Sequence, residues 1–187
     1  VSSPASSAAE VEGITLPDTD RVANQELKLN GAGMRYQGKA KISVIGLYLK
    51  DKKNTVQQVI ALSGTKRIAI VLMRDFSNND FAQAFMAGFQ KNSDKSERAK
   101  VVNSLLKFGE MFSSVTELKK GDVITCDWIP NVGAAFQHNG KKLGEALPDK
   151  LFYDMLLKIF IGDKPADANL KRLLLGENER VNPQPNY

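Results

Sequence analysis

The sequence predicts an α+β domain built on an antiparallel sheet, and two observations carry that expectation. The order of hydrophobic periods is strands, then helices, then a meander of short strands, then helices, with no repeating strand–helix alternation. The late strands are joined by compact turns at Pro130-Asn131 and Asn139-Gly140, which is the chemistry of antiparallel hairpins. A chain of 187 residues is long enough to bury roughly 70% of the surface its unfolded form exposes, so it needs neither disulfides nor metal to fold.

From the N-terminus, "VSSPASSAAEVEG" is small, polar and poor in residues to bury. It reads as a disordered segment over residues 1–12. It also resembles the small-residue region around a signal-peptidase site, which points to a periplasmic or secreted protein of bacterial type, with a cytoplasmic one as the alternative. A single domain is expected over 13–176, and a turn-rich tail over 177–187. Pro17-Asp18 reads as a turn, Leu27–Leu29 as the start of a strand, and Gly31 and Gly33 as a sharp backbone change ahead of Arg35. Lys39–Leu49 is the clearest strand. Ala40, Ile42, Val44, Gly46 and Tyr48 share one face, and Lys39, Lys41, Ser43, Ile45, Leu47 and Leu49 the other. Both faces turn apolar after Ser43, so the strand is expected to be central and covered on both sides. Gly46 should allow something to approach its backbone.

"TVQQVIAL" fits a short helix or a strand, and Arg67–Met73 a second buried strand. In "SNNDFAQAFMAGFQKN", Ser77 or Asn78 is a candidate N-cap, and Phe81, Phe85 and Phe89 recur at spacing four on one helix face. "SDKSERAKVVNSLLKFGEMFSSV" reads as one further helix. Strands follow at Val123–Trp128, Gly133–Gln137 and Lys142–Gly144. "LPDKLFYDMLLKIFIGDKP" is a third helix with Pro148 near its first turn and Gly162 as its stop, and "ADANLKRLLLG" a short last helix ending at Gly176.

Composition narrows the function. Net charge is +5 from 26 basic and 21 acidic residues, scattered in groups such as Lys119-Lys120 and Lys141-Lys142 beside acids or at turns. No continuous basic face with interleaved aromatics is present, which argues against nucleic-acid binding. No apolar run approaches the ~20 residues of a membrane span. The single Cys126 and the single His138 cannot build a His/Cys zinc site, and His138 flanks the Asn139-Gly140 turn rather than a site. No phosphate loop, nucleophile elbow or cofactor fingerprint occurs, so no cofactor is expected. What stands out is "GAGMRYQGKAKISVIGLYLK", where Arg35 precedes the central strand and Ser43 interrupts its apolar run. These residues read as the polar end of a buried pocket, and the three Phe rings as its wall or as core packing.

That stretch resembles the signature of the chalcone isomerase superfamily, a Gly-rich approach carrying an Arg into a strand ending Gly-x-Tyr. "RIAIVLMRDFSNNDF" is similar to the family's strand-to-helix passage. "KKGDVITCDWIPNVGAAFQHNGKKLGEALPDKLFYDMLLKIFIGDKP" resembles its late hairpins and helix, and "FIGDKPADANLKRLLLG" the ending of its bacterial members. The resemblance covers roughly residues 12–176. It implies an open-faced β-sandwich, a large antiparallel sheet with a layer of helices over a cleft. In the enzymes of the superfamily an arginine stabilises oxyanion charge as a chalcone cyclises. Arg35 matches that arginine, and Ser43 falls where a strand Thr stands. The helix Tyr, Lys and Asn of the enzymes are matched by Phe81, Ala84 and Gly88, and a later Ser/Thr by Gly144. The resemblance therefore implies a non-catalytic member, close to those that bind fatty acids through an Arg and a strand Tyr. The expected ligand is a small apolar carboxylate or phenol, held by Arg35 and Ser43 with Tyr36 or Tyr48, its tail on Phe81, Phe85 and Phe89. The alternatives are an isomerase acting on a chalcone-like enone, and an interaction domain with a filled core.

Overall fold

The protein is described from a computed structural model, which covers residues 8–177. Seven strands form one antiparallel meander in chain order. They are β3 (Thr19–Val22), β4 (Gln25–Gln37), β5 (Ala40–Leu49), β6 (Lys66–Leu72), β7 (Val123–Ile129), β8 (Gly133–His138) and β9 (Lys141–Leu147). A separate two-stranded hairpin, β1 (Ala8–Val11) with β2 (Ile14–Pro17), precedes them. The helices are α1 (Val56–Ala61), α2 (Asn78–Lys91), α3 (Lys95–Lys100), α4 (Val102–Ser113), α5 (Lys150–Ile161) and α6 (Ala168–Leu174).

β5 lies between β4 and β6, and its two faces feed two cores, as its sequence predicts. Ile45, Leu47 and Leu49 join the helix-side core with α2, α4, α5 and α6, whereas Val44 and Tyr48 join a smaller core under the β1–β2 hairpin. A Cβ on Gly46 would come within 2.9 Å of Leu16 Cδ1, so the glycine admits the hairpin.

Several expectations are corrected. Residues 8–12 are not disordered. Ala9 and Val11 alternate and pack with Ile14 and Leu16 onto the smaller core, and Glu12-Gly13, both at positive φ, close the hairpin. Residues 1–7 and 178–187 lie outside the described residues. The helix expected over "SDKSERAKVVNSLLKFGEMFSSV" is two helices. Val101, at φ −119°, leaves the helical region and is buried, while α3 buries nothing. "TVQQVIAL" is helical, capped by the Thr55 hydroxyl, which accepts from Gln58 N. Gly31 and Gly33 make no sharp turn, since β4 runs through them with one register shift between Leu29 and Gly31. Their role is close packing. A Cβ on Gly31 would lie 1.9 Å from the Leu173 carbonyl oxygen, and one on Gly33 2.6 Å from Leu173 Cδ1, so α6 rests on the bare backbone of β4.

Two polar features have no local sequence signal. Arg67 spans the hairpin side of the sheet: its Nε and Nη2 donate to the two carboxylate oxygens of Asp127 (2.7 and 2.8 Å), and its Nη1 to Asp20 (2.8 Å). Asp127 is buried, and burial raises its pKa against the lowering effect of Arg67. Lys66 is buried at the base of β6, donating to the Ile60 carbonyl at the end of α1. Burial first, then Lys150, lowers its pKa to about 8.

Removing one partner of a buried pair strands the other charge, so Asp127→Ala is expected to destabilise the fold by about 3–5 kcal/mol in urea unfolding. Gly31→Ala forces α6 off β4 and is expected to lose about 1–3 kcal/mol or more, the range for overpacking. A wild-type melting temperature for Gly31→Ala would show that α6 does not depend on this approach.

Candidate functional site

The structure brings Arg35 and Ser43 together. The two residues are register partners across β4 and β5, on the face that carries the helices. They border a cavity of about 50 Å³, lined also by Gln37, Ile42, Ile45, Ile70, Phe76, Phe81, Ala84, Phe85 and Phe160. A register shift between Arg35 and Tyr36 leaves Ile42 unpaired, and this bulge brings Ile42 and Ser43, consecutive residues, to the same cavity.

The electrostatics of the pair are unusual. Arg35 is half-buried and makes no hydrogen bond or ion pair among the described residues. Burial lowers its pKa, while the carboxylate of Asp167 acts in the opposite direction. Arginine stays cationic under either influence. Ser43 is 2% exposed, and its hydroxyl likewise has no hydrogen-bond partner. Neither donor is sealed within packed protein: both border the cavity, and the fully buried side-chain polar atom without a partner among the described residues is Thr125 Oγ1, which does not line it.

The apolar wall is aromatic. Phe81 and Phe85, one turn apart on α2, have ring centroids 5.1 Å apart; Phe85 also meets Phe160 of α5 at 6.2 Å and Phe76 meets Phe81 at 6.2 Å. Phe76 sits at the rim, with the Arg74 guanidinium 5.1 Å from its ring and backbone hydrogen bonds to Leu118 on both sides.

The structure does not bring every expected residue here. Phe89 stacks deeper, on Phe152 (5.2 Å) and Phe108 (5.7 Å), and does not line the cavity. Tyr48 points to the opposite face, because its position in β5 is odd-numbered from Ser43; its hydroxyl donates to the Pro17 carbonyl (2.8 Å) under the hairpin. Tyr36 also lies off the cavity, its hydroxyl 3.1 Å from Glu12, which itself pairs with Lys41 at 2.9 Å. Gly88 is a helix-crossing residue, since a Cβ there would meet Ile159 at 2.8 Å, and Gly144 turns at φ 56° beside Met111. Ala84 does line the cavity. His138 flanks its turn as expected, with Nε2 2.8 Å from Asp122. Gln37, Phe76 and Phe160 were missed. Gln37 and Phe76 stand in loop-like sequence, and Phe160 reaches the cavity only through the packing of α5 on α2.

Among the described residues no group of His, Cys, Asp or Glu side chains is placed to hold a metal ion, and no helix is long and apolar enough to cross a membrane.

The sequence model of a family described as chalcone isomerase-like matches residues 8–176. No curated protein matches the chain. Among solved structures, the crystal structure of an Arabidopsis thaliana fatty-acid binding protein aligns with a TM-score of 0.64 at 15% identity, covering 91% of this chain and 96% of that one. At that identity the likeness establishes the fold, which is the one the resemblance implies.

Because the Ser43 hydroxyl borders the cavity and makes no hydrogen bond among the described residues, Ser43→Ala is expected to leave the unliganded protein as stable as wild type or up to about 1 kcal/mol more stable. Urea unfolding checks this, and a loss above about 1 kcal/mol would mean that the hydroxyl is bonded within the protein.

Proposed function

The chain belongs to the chalcone isomerase-like family, and we propose that within it this protein is a non-catalytic binder of a fatty acid or a similar small apolar carboxylate or phenolate. The observation that carries the reading is the Arg35–Ser43 couple, unpaired among the described residues, on a cavity whose other lining residues are apolar apart from Gln37. A guanidinium and a hydroxyl side by side suit one carboxylate, with charge-assisted bonds stronger than neutral ones. Phe81, Phe85, Ile45, Ile70 and Phe160 suit the first part of an alkyl tail. That the Arabidopsis thaliana protein sharing the fold is a fatty-acid binding protein supports the same reading.

The volume sets a condition. Pockets for drug-sized ligands run to roughly 300–1,000 Å³, against about 50 Å³ here. A tail therefore enters only by turning rings aside, beginning with Phe76 at the rim and Phe81 behind it. Binding is coupled to repacking of the α2–α4–α5 aromatic cluster.

The lining supports binding rather than turnover. Its polar side chains are Arg35, Gln37 and Ser43, and none is a general acid or base near neutral pH. Phe81 and Ala84, which the resemblance matches to a helix Tyr and Lys of the enzymes, both line the cavity and carry no titratable group.

Titration with dodecanoate, followed calorimetrically, tests the reading. Wild type is expected to bind, and Arg35→Ala to bind more weakly by about 1.5–3 kcal/mol, the range for hydrogen bonds to a charged group. Equal affinities in the two proteins would remove Arg35 from the site.

A further inference from the structure

We propose that Asp167 sets the charge the site accepts: a monoanionic head group such as a carboxylate is taken, and a dianionic one such as an alkyl phosphate is excluded. This rests on Arg35 as the anchor and adds a specificity-determining residue that does not itself line the cavity.

Asp167 is held in place by backbone donors from two elements. It is the N-cap of α6, its Oδ1 accepting from the backbone N–H groups of Asn169 (2.9 Å) and Leu170 (3.1 Å). Its Oδ2 accepts from the backbone N–H of Tyr36 (2.9 Å), the residue next to Arg35. Three backbone donors fix both oxygens, so the carboxylate cannot swing away when a ligand arrives. Nor is it an ion-pair partner that a ligand simply replaces, because Arg35 and Asp167 make no salt bridge. Asp167 is a stationary negative charge one residue along the strand from the anchor.

A head group at Arg35 therefore meets one cation at contact and the field of one fixed anion held on the neighbouring Tyr36 backbone. Among the described residues, Arg35 alone of those lining the cavity is charged. Lys41, near the same end of β5, is paired with Glu12 at 2.9 Å. The first-turn N–H groups of α6, which could otherwise favour a phosphate, are already used by Asp167. A carboxylate gains the directed bonds of Arg35 and Ser43 and meets the repulsion once. A dianion finds the same donors, doubles its attraction to Arg35 and its repulsion from Asp167 alike, and costs more to desolvate, so the Asp167 charge cancels part of the attraction that would offset that cost.

The test compares dodecanoate with dodecyl phosphate at pH 8, where the phosphate monoester carries close to two charges. Titrations use wild type, Asp167→Asn and Asp167→Ser; both variants keep a cap-forming side chain, and melting curves report their folding. Wild type is expected to bind dodecanoate at least about tenfold more tightly than dodecyl phosphate, and both variants to shrink that ratio by about tenfold, the effect of roughly 1.4 kcal/mol from one unit charge. Dodecanoate bound by wild type with the ratio unchanged in folded variants would overturn the role of Asp167 and leave Arg35 as the anchor. Neither ligand bound by wild type would overturn the anchor, and this inference with it.

Discussion

The contact between α6 and β4 is the constraint on which the rest of the site depends. Gly31 and Gly33 let the helix lie directly on the strand backbone, and polar ties hold it at both ends. At the C-terminal end the buried Asn30 amide donates to the carbonyls of Leu174 (2.7 Å) and Lys53 (2.8 Å), and its oxygen accepts from Lys53 N–H (2.8 Å). At the N-terminal end Asp167 ties the first turn of α6 to the backbone of Tyr36. Between these ties the strand carries Arg35 to the rim of the helix-side core, its guanidinium unbonded among the described residues. An alanine-sized side chain at Gly31 would lift the helix and with it the Asp167 carboxylate bonded to the Tyr36 backbone.

Given that frame, the cavity follows from packing. The sheet face beneath the helices is filled by Ile45 and Ile70, and the helices answer with rings from α2, α4 and α5. The filling stops short at one end, where the bulge at Ile42 turns Ser43 inward opposite Arg35. The space left is small and has a polar end and an aromatic end. Stability is supplied elsewhere: by the larger part of the aromatic core, and by the Arg67–Asp127–Asp20 cluster on the opposite face. The cavity end can thus keep unpaired donors without unravelling the sheet.

The sequence made some of this legible for clear physical reasons. β5 was readable because its period of two persists on both faces, and the Asn139-Gly140 turn because few other residue pairs adopt positive φ so easily, as both do here. Arg35 and Ser43 stood out as polar breaks in an apolar pattern, and one strand register joins them. What stayed hidden depends on partners far along the chain. Two apolar residues per strand were too few to announce the β1–β2 hairpin, which exists because Tyr48, Leu29 and Gly46 offer it a bed. The glycines before Arg35 looked like a turn because the helix that needs them is some 140 residues away. Tyr48 was placed near Arg35 by resemblance, although strand alternation already put it on the face opposite Ser43.

The central claim is that the Arg35 end of this cavity holds the head of an amphiphile. The most direct measurement is mass spectrometry of an organic extract from the freshly purified, denatured protein, run beside Arg35→Ala. The account predicts a fatty acid or related carboxylate near one equivalent in wild type and its loss in the folded variant. The same ligand retained at the same stoichiometry in Arg35→Ala would contradict it.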